Sequence, residues 1–224
     1  MQNPFKLYSG WRFGKKISDM SSKQEPIRLN IGAGGTAYQG WISAEICDLD
    51  ITKPHLFSGI LGKAKISNIL AEHVVEHIHR TDFESFLFEI RKFMNPGAVI
   101  RIAVPDAMHP SEYVRELTKP GGLEPGAEDH KEFYSLEMMR NIAETTELQI
   151  NPLEWFDDSG AFNYKYDDWS NGFISRSREN YRGRFSNDPM EYKKMWDSIP
   201  CHLRNQFGEL NMSYTSLIID FKIP

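Results

Sequence analysis

The stretch IRLNIGAGG, residues 27–35, constrains this chain most. An apolar run from Ile27 to Ile31 breaks at Gly32, Gly34 and Gly35, which is the pattern of a strand entering a glycine turn. Further runs follow. GWISAEI reads as a second strand ending near Glu45, KISNILA as a third, AVIRIAVPD as a strongly apolar one ending at Pro105-Asp106, and YTSLIIDFKI as the last. Thr81-x-x-Glu84 reads as a capping box, with Phe83, Phe86, Leu87, Ile90 and Met94 at helical spacing and Asn95-Pro96-Gly97 as a stop. Ser135 is expected to cap a helix whose Leu136, Met139, Ile142 and Ala143 face inward. Strands alternating with helices predict an α/β fold: a mostly parallel sheet covered by helices on both faces.

At 224 residues one domain spanning 1–224 is expected. Within it, 1–26 reads as a surface lead-in without sustained period, 27–154 as the core, 155–210 as an insertion rich in aromatics, Asp and Arg, and 211–224 as the final strand. A net charge of -5 gives no general attraction to phosphate backbones or anionic lipid, so nucleic acid and membrane are not expected partners. Cys47 and Cys201 are too few for a disulfide framework, and no apolar run is long enough to span a bilayer. The lysines near Met1 precede no apolar signal core, so the expected setting is cytoplasmic and reducing.

The glycine turn is the first place where chemistry is expected. In an open parallel sheet ligands bind beyond the carboxyl ends of the strands, and glycines let backbone amides approach closely. Glu45 ends the next strand, where an acid can accept both hydroxyls of a ribose. Gly32-x-Gly34-x-x-Ala37 also satisfies the dinucleotide pattern, but that fingerprint needs a helix between turn and acid, with the acid about 20 residues on. TAYQGW leaves little room for one, and a nucleoside without pyrophosphate fits better. A second motif is His73-Val-Val-Glu76-His77, which matches the inverted zinc-peptidase signature. A zinc site needs a third ligand, which the sequence does not identify, and no metal is assigned.

LNIGAGG, GWISAEI, DLDIT, AEHVVEH and MNPGAVIRIAVPD together resemble a class I S-adenosylmethionine-dependent methyltransferase, and more narrowly a bacterial group of small predicted methyltransferases carrying these blocks in this order. The resemblance is firm over 27–106 and extends more loosely to DHKEFYSLEMM and the closing strand. It implies a Rossmann-like seven-stranded, mostly parallel sheet with a substrate-side insertion before the last strand, and S-adenosyl-L-methionine as cofactor. Carried over by position, Gly32 and Gly34 would pass beneath the methionine moiety, Glu45 would hold the ribose hydroxyls, and Asp50, after a strand, would lie near the adenine amino group. Ala71 and Glu72 would line the cofactor and face the acceptor. Asn30 stands where many members carry an acid, Glu45 where the group more often has aspartate, and Ala98 relaxes the usual Pro-Gly-Gly.

Methyl transfer from a sulfonium needs chiefly alignment of the acceptor and exclusion of water, with a base where an oxygen or nitrogen must lose its proton. His73, Asp106, His109 and His130 are candidates by their strand-end or loop contexts; Asp106 alternatively caps the helix expected near Pro110, and His130 alternatively lies on a surface loop. Arg176, Arg178, Arg182 and Arg184, with Tyr164, Tyr166 and Trp169, could grip a small polar acceptor such as a sugar or surface-glycan precursor, or pair with Asp157, Asp158, Asp167 and Asp168 on a solvated face. Two other classes compete: a zinc-dependent hydrolase built on His73, Glu76 and His77, and a nucleoside-binding module without turnover. The acceptor and the oligomeric state are not legible.

Overall fold

A computed structural model describes residues 4–165, 189–209 and 216–224. The arginine-rich run Arg176–Arg184, with Tyr166, Trp169, Asp167 and Asp168, lies outside the described residues. In chain order the elements are α1 (Pro4–Ser22), β1 (Ile27–Ile31), β2 (Ile42–Ala44), α2 (Phe57–Leu61), β3 (Ile66–Glu72), α3 (Arg80–Ile90), β4 (Met94–Pro105), α4 (Glu112–Thr118), α5 (Leu136–Thr145), β5 (Gln149–Phe156), β6 (Phe162–Tyr164), α6 (Pro189–Ser198), α7 (Arg204–Glu209) and β7 (Ser216–Lys222).

The strands form one Rossmann-like open sheet of seven, in the order β2-β1-β3-β4-β7-β5-β6. Parallel pairing joins β2, β1, β3 and β4, and β7 lies antiparallel between β4 and β5. β5 therefore runs in the direction of β4, so five strands point one way. The chain leaves β1 for β2 on one side and returns for β3 on the other, which puts the topological switch point over β1 and β3. No strand forms between Ala44 and Ile66; the strand implied just before Asp50 is replaced by turns.

Alternation divides the sheet into two unlike faces. Leu29, Ile31, Ile69, Ala71, Ile100, Ile102 and Ile219 point into the main core, with Phe13 and Ile17 of α1, Phe57 of α2, Phe83 and Phe86 of α3, and Met139 and Ile142 of α5. Phe83 meets Tyr134 and Phe221 edge-on. Trp155 packs against this core, so its neighbour Phe156 faces the other way, into a cluster with α4 (Val114, Leu117), Met195 of α6 and Phe207 of α7. Helices thus lie against both faces.

The structure corrects three local expectations. Residues 4–22 are a helix, because Phe13 and Ile17 reach the core and Gly14 lies close to the Ile60 carbonyl; an added Cβ would come within 2.9 Å of that oxygen. The capping box at Thr81 is not used. α3 begins at Arg80 with no side-chain cap, and Glu132 accepts the Arg80 N–H at 3.0 Å instead. Asp106 does not cap α4, whose N-cap is Ser111, accepting from Val114 N at 3.2 Å. Ser135 does cap α5, accepting from Met138 N.

Burial acts strongly on Asp106 and His109. Burial raises the Asp106 carboxyl to about 6 even though it accepts from Phe156 N and Met108 N, both at 2.8 Å. Burial, with Arg115 nearby, lowers His109 to about 3; its Nδ1 accepts from Ser111 N at 3.1 Å. A histidine held neutral in the fold binds its proton only on unfolding. Its contribution is therefore present above the unfolded value of about 6.5 and is lost as pH falls through that value toward about 3. His109→Asn keeps an acceptor for Ser111 but does not titrate. Its stability relative to the native chain is expected to rise by roughly 2 kcal/mol between pH 7 and pH 5, at about 1.4 kcal/mol per unit below 6.5. Denaturant titrations at the two pH values measure this, and an unchanged difference refutes it.

Candidate functional site

The carboxyl ends of β2, β1 and β3 lie side by side, with Ala44, Ile31 and Ala71 in register. Gly32, Glu45 and Glu72 follow directly, at the switch point where an open sheet of this kind forms its binding crevice. Gly32 has φ +61°, and an added Cβ would come within 2.5 Å of the Val74 side chain. Gly34 and Gly35, at φ +56° and +82°, have no atom of the described residues within 4 Å of where a Cβ would stand, so they border open space among those residues. Only glycine tolerates both demands. The turn is held by Gly32 N–H donating to Ala44 O at 2.7 Å, and by Gly34 N–H donating to Glu45 Oε1 at 2.9 Å.

Glu45 therefore bridges from β2 to the glycine turn as an exposed-edge carboxylate. Asp48 accepts its backbone N–H at 3.0 Å and holds the bend that follows. Glu72, nearly buried, accepts from the Tyr38 hydroxyl at 3.2 Å. Tyr38 was not singled out by sequence, although TAYQGW had marked the loop as too short for a helix; the loop instead lays a phenol across the β1–β3 crevice. Ala71 turns its methyl into the main core, leaving its backbone at the edge. Asp50 is committed locally, with Oδ1 accepting from Thr52 N and Oγ1 at 3.1 and 2.6 Å and Oδ2 paired with Lys53. Burial pushes its carboxyl up, but these contacts outweigh it and hold the group below the usual range.

One residue past Glu72 the chain changes direction. His73 has φ +55°, a left-handed conformation costly for a side chain with a Cβ, and its N–H donates to Ala103 O on β4 at 2.8 Å. A single 3-10 turn, Val75–His77, follows in place of an α-helix, so His73 and His77 do not share a helical face. His73 Nδ1 instead lies 3.1 Å from Glu76 Oε1, and its Nε2 lies 3.4 Å from Ser216 Oγ. A carboxylate only accepts, so Nδ1 carries the proton and Nε2 the lone pair. Glu76 is 1% exposed and the His73 side chain 39%.

His73, Glu76, His77 and His130 line one cavity of about 300 Å³ with Pro105, Thr118, Glu124 and Gly126. The structure thus brings together two of the four sequence candidates for the base, His73 and His130. Asp106 does not line this cavity; both its oxygens accept backbone N–H groups, which ties the end of β4 to β5. His109 is fully buried against Phe156 and Phe207. Asp157 accepts from Ser159 and Asn163 within its own turn, and Tyr164 stacks on Phe162. No described helix is long and apolar enough to cross a membrane.

No family model and no curated protein matches this chain. Among solved structures it is similar to an S-adenosylmethionine-dependent methyltransferase from Archaeoglobus fulgidus, at 14% identity over 97% of this chain and 94% of that one, with a TM-score of 0.47. A putative methyltransferase from Haloferax volcanii, in complex with the Trm112 activator, is 10% identical over 100% and 99%, at 0.46. A possible histamine N-methyltransferase from Thermotoga maritima is 10% identical over 97% and 95%, at 0.44.

Proposed function

We propose that this chain is an S-adenosylmethionine-dependent methyltransferase acting on an oxygen or nitrogen of a small polar acceptor. The observation that carries the reading is the pairing of Gly34 N–H with the Glu45 carboxylate over open space at the switch point. It sets an acid and a glycine cradle on adjacent strand ends, as a nucleoside without pyrophosphate requires. The five ordered sequence blocks support the same cofactor. Gly32 and Gly34 would hold its methionine part, Glu45 its ribose, and Glu72 with Tyr38 the wall between cofactor and acceptor.

The bound sulfonium supplies a methyl group already activated for displacement. What the protein adds is position, exclusion of water and a base. An acceptor seated in the cavity beside His73 would present its lone pair to that methyl group, and the bonding pair would be left with the departing sulfur. The proton passes from the acceptor to His73 Nε2, while Glu76 Oε1 holds Nδ1–H and steadies the imidazolium that forms. We assign the base to His73 in preference to Asp106, whose oxygens are already engaged. A sugar or surface-glycan precursor remains the acceptor class we favour, drawn from the sequence of the 155–210 insertion.

Calorimetric titration with S-adenosylmethionine and S-adenosylhomocysteine tests the cofactor. The native chain is expected to bind both. Glu45→Ala, which removes a charged acceptor worth about 1.5–3 kcal/mol per hydrogen bond, should weaken both by at least about tenfold. Failure of the native chain to bind either nucleoside overturns the reading.

A further inference from the structure

The cavity beside His73 holds a second constellation, which shares only Glu76 with the proposed proton transfer. One donor atom each from Glu76, His77 and His130 all lie within 4.8 Å of one another. We propose that these three residues form a binding site for a divalent transition-metal cation of the zinc class, with at least one coordination position open to the cavity. The proposal is independent of the methyltransferase reading.

The chain builds this cluster deliberately. Glu76 and His77 are consecutive on the 3-10 turn, and His130 arrives from the end of another, Ala127–Asp129. The two segments are laced together at Glu76 itself, whose carbonyl accepts from Lys131 N at 2.7 Å and Glu132 N at 3.2 Å. The rings of His77 and His130 meet edge to face at 4.7 Å.

The donor chemistry is already sorted. His130 Nδ1 lies 2.7 Å from the carbonyl of Thr118. A carbonyl only accepts, so Nδ1 bears the proton and Nε2 is left with a bare lone pair, the arrangement that orients metal-binding histidines. Glu76 divides its two oxygens. Oε1 faces His73, whereas Oε2 is buried and accepts no hydrogen bond from the described residues. A carboxylate oxygen kept from water without a partner is costly, and a cation among two imidazoles answers that cost. Asp129 Oδ2, 3.9 Å from His77 Nδ1, stands where a small shift would let it orient the second ring. Two histidines and one carboxylate suit zinc and its neighbours, and three protein ligands leave room for water or a ligand oxygen.

The test is zinc titration of chelator-stripped protein by calorimetry, with visible absorption of the Co²⁺-loaded chain as a second readout. Glu76 is left intact because it also orients His73. His130→Asn retains a donor to Thr118 but deletes Nε2; His77→Ala deletes the second ring; His55→Ala, on an exposed turn away from the cavity, is the control. Expected are one zinc per native chain, losses of at least about tenfold in both cavity variants, and native affinity in the control. Circular dichroism verifies that each variant is folded, and the Co²⁺ spectrum of the native chain stands whether or not His77→Ala folds. No zinc uptake and no Co²⁺ band by the native chain, or native affinity in either cavity variant, overturns the three-residue site.

Discussion

Asp220→Ala is expected to destabilise the chain by about 3–5 kcal/mol, the cost of breaking a buried, forked ion pair by removing its carboxylate. Arg101 on β4 is 0% exposed, and Asp220 opposes it directly on β7. The pair is forked: Arg101 Nε donates to Oδ1 at 2.7 Å and Nη2 to Oδ2 at 2.9 Å. It lies on the sheet face away from the main core, where Ala103, Leu153 and Ile218 form only a small apolar cluster. A slip of one residue between β4 and β7 would send Arg101 into the packed face, so the pair also fixes register. For a chain of this size the melting temperature should fall on the order of 6–20 °C. Arg101→Leu with Asp220→Leu, which removes both charges together, should recover much of the loss. A melting point for Asp220→Ala within a degree or two of the native value would refute the argument.

The elements legible in the sequence were those whose signals are local. IRLNIGAGG gave a strand and a positive-φ turn because apolar period and glycine both act within a few residues. KISNILA and AVIRIAVPD were readable because central strands are apolar on both faces, and Ser135 because its cap is three residues away. What escaped was set by distant partners. α1 shows no sustained apolar period, and its described core contacts Phe13, Ile17 and Met20 matter only once β1 and α2 are in place. The Thr81 box lost to Glu132, which is 52 residues away and satisfies the same end of α3. The His73-to-His77 spacing promised a shared helical face, but the left-handed His73 and the 3-10 turn that follows break that periodicity. The third member of the histidine cluster could not be found by motif, since His130 reaches Glu76 through backbone bonds to the Glu76 carbonyl. Asp106 was legible as a strand-end acid, but its two backbone partners lie on separate segments and engage both of its oxygens.

His73→Ala is expected to lower turnover by about 10²–10⁴-fold while leaving S-adenosylmethionine affinity near native, because a general base contributes on that scale to the chemical step. The separation follows from position. Glu45 and the glycine turn border the open side of β1 and β2, whereas His73 lies one residue beyond Glu72 with its ring in the neighbouring cavity. Turnover is read as transfer of a radiolabelled methyl group to an acceptor taken from a screen of small hydroxyl and amino compounds. Glu76→Gln should lower turnover in the same direction but by less, since Gln still accepts from Nδ1–H yet no longer offsets the charge of the imidazolium. Added imidazole should restore part of the activity of His73→Ala, for which the cavity of about 300 Å³ leaves room. A purely structural His73 would behave otherwise: the alanine variant would lose cofactor binding and turnover together, and imidazole would do nothing. That outcome would return the base to another group in the cavity and leave His73 as the residue that turns the chain at the end of β3.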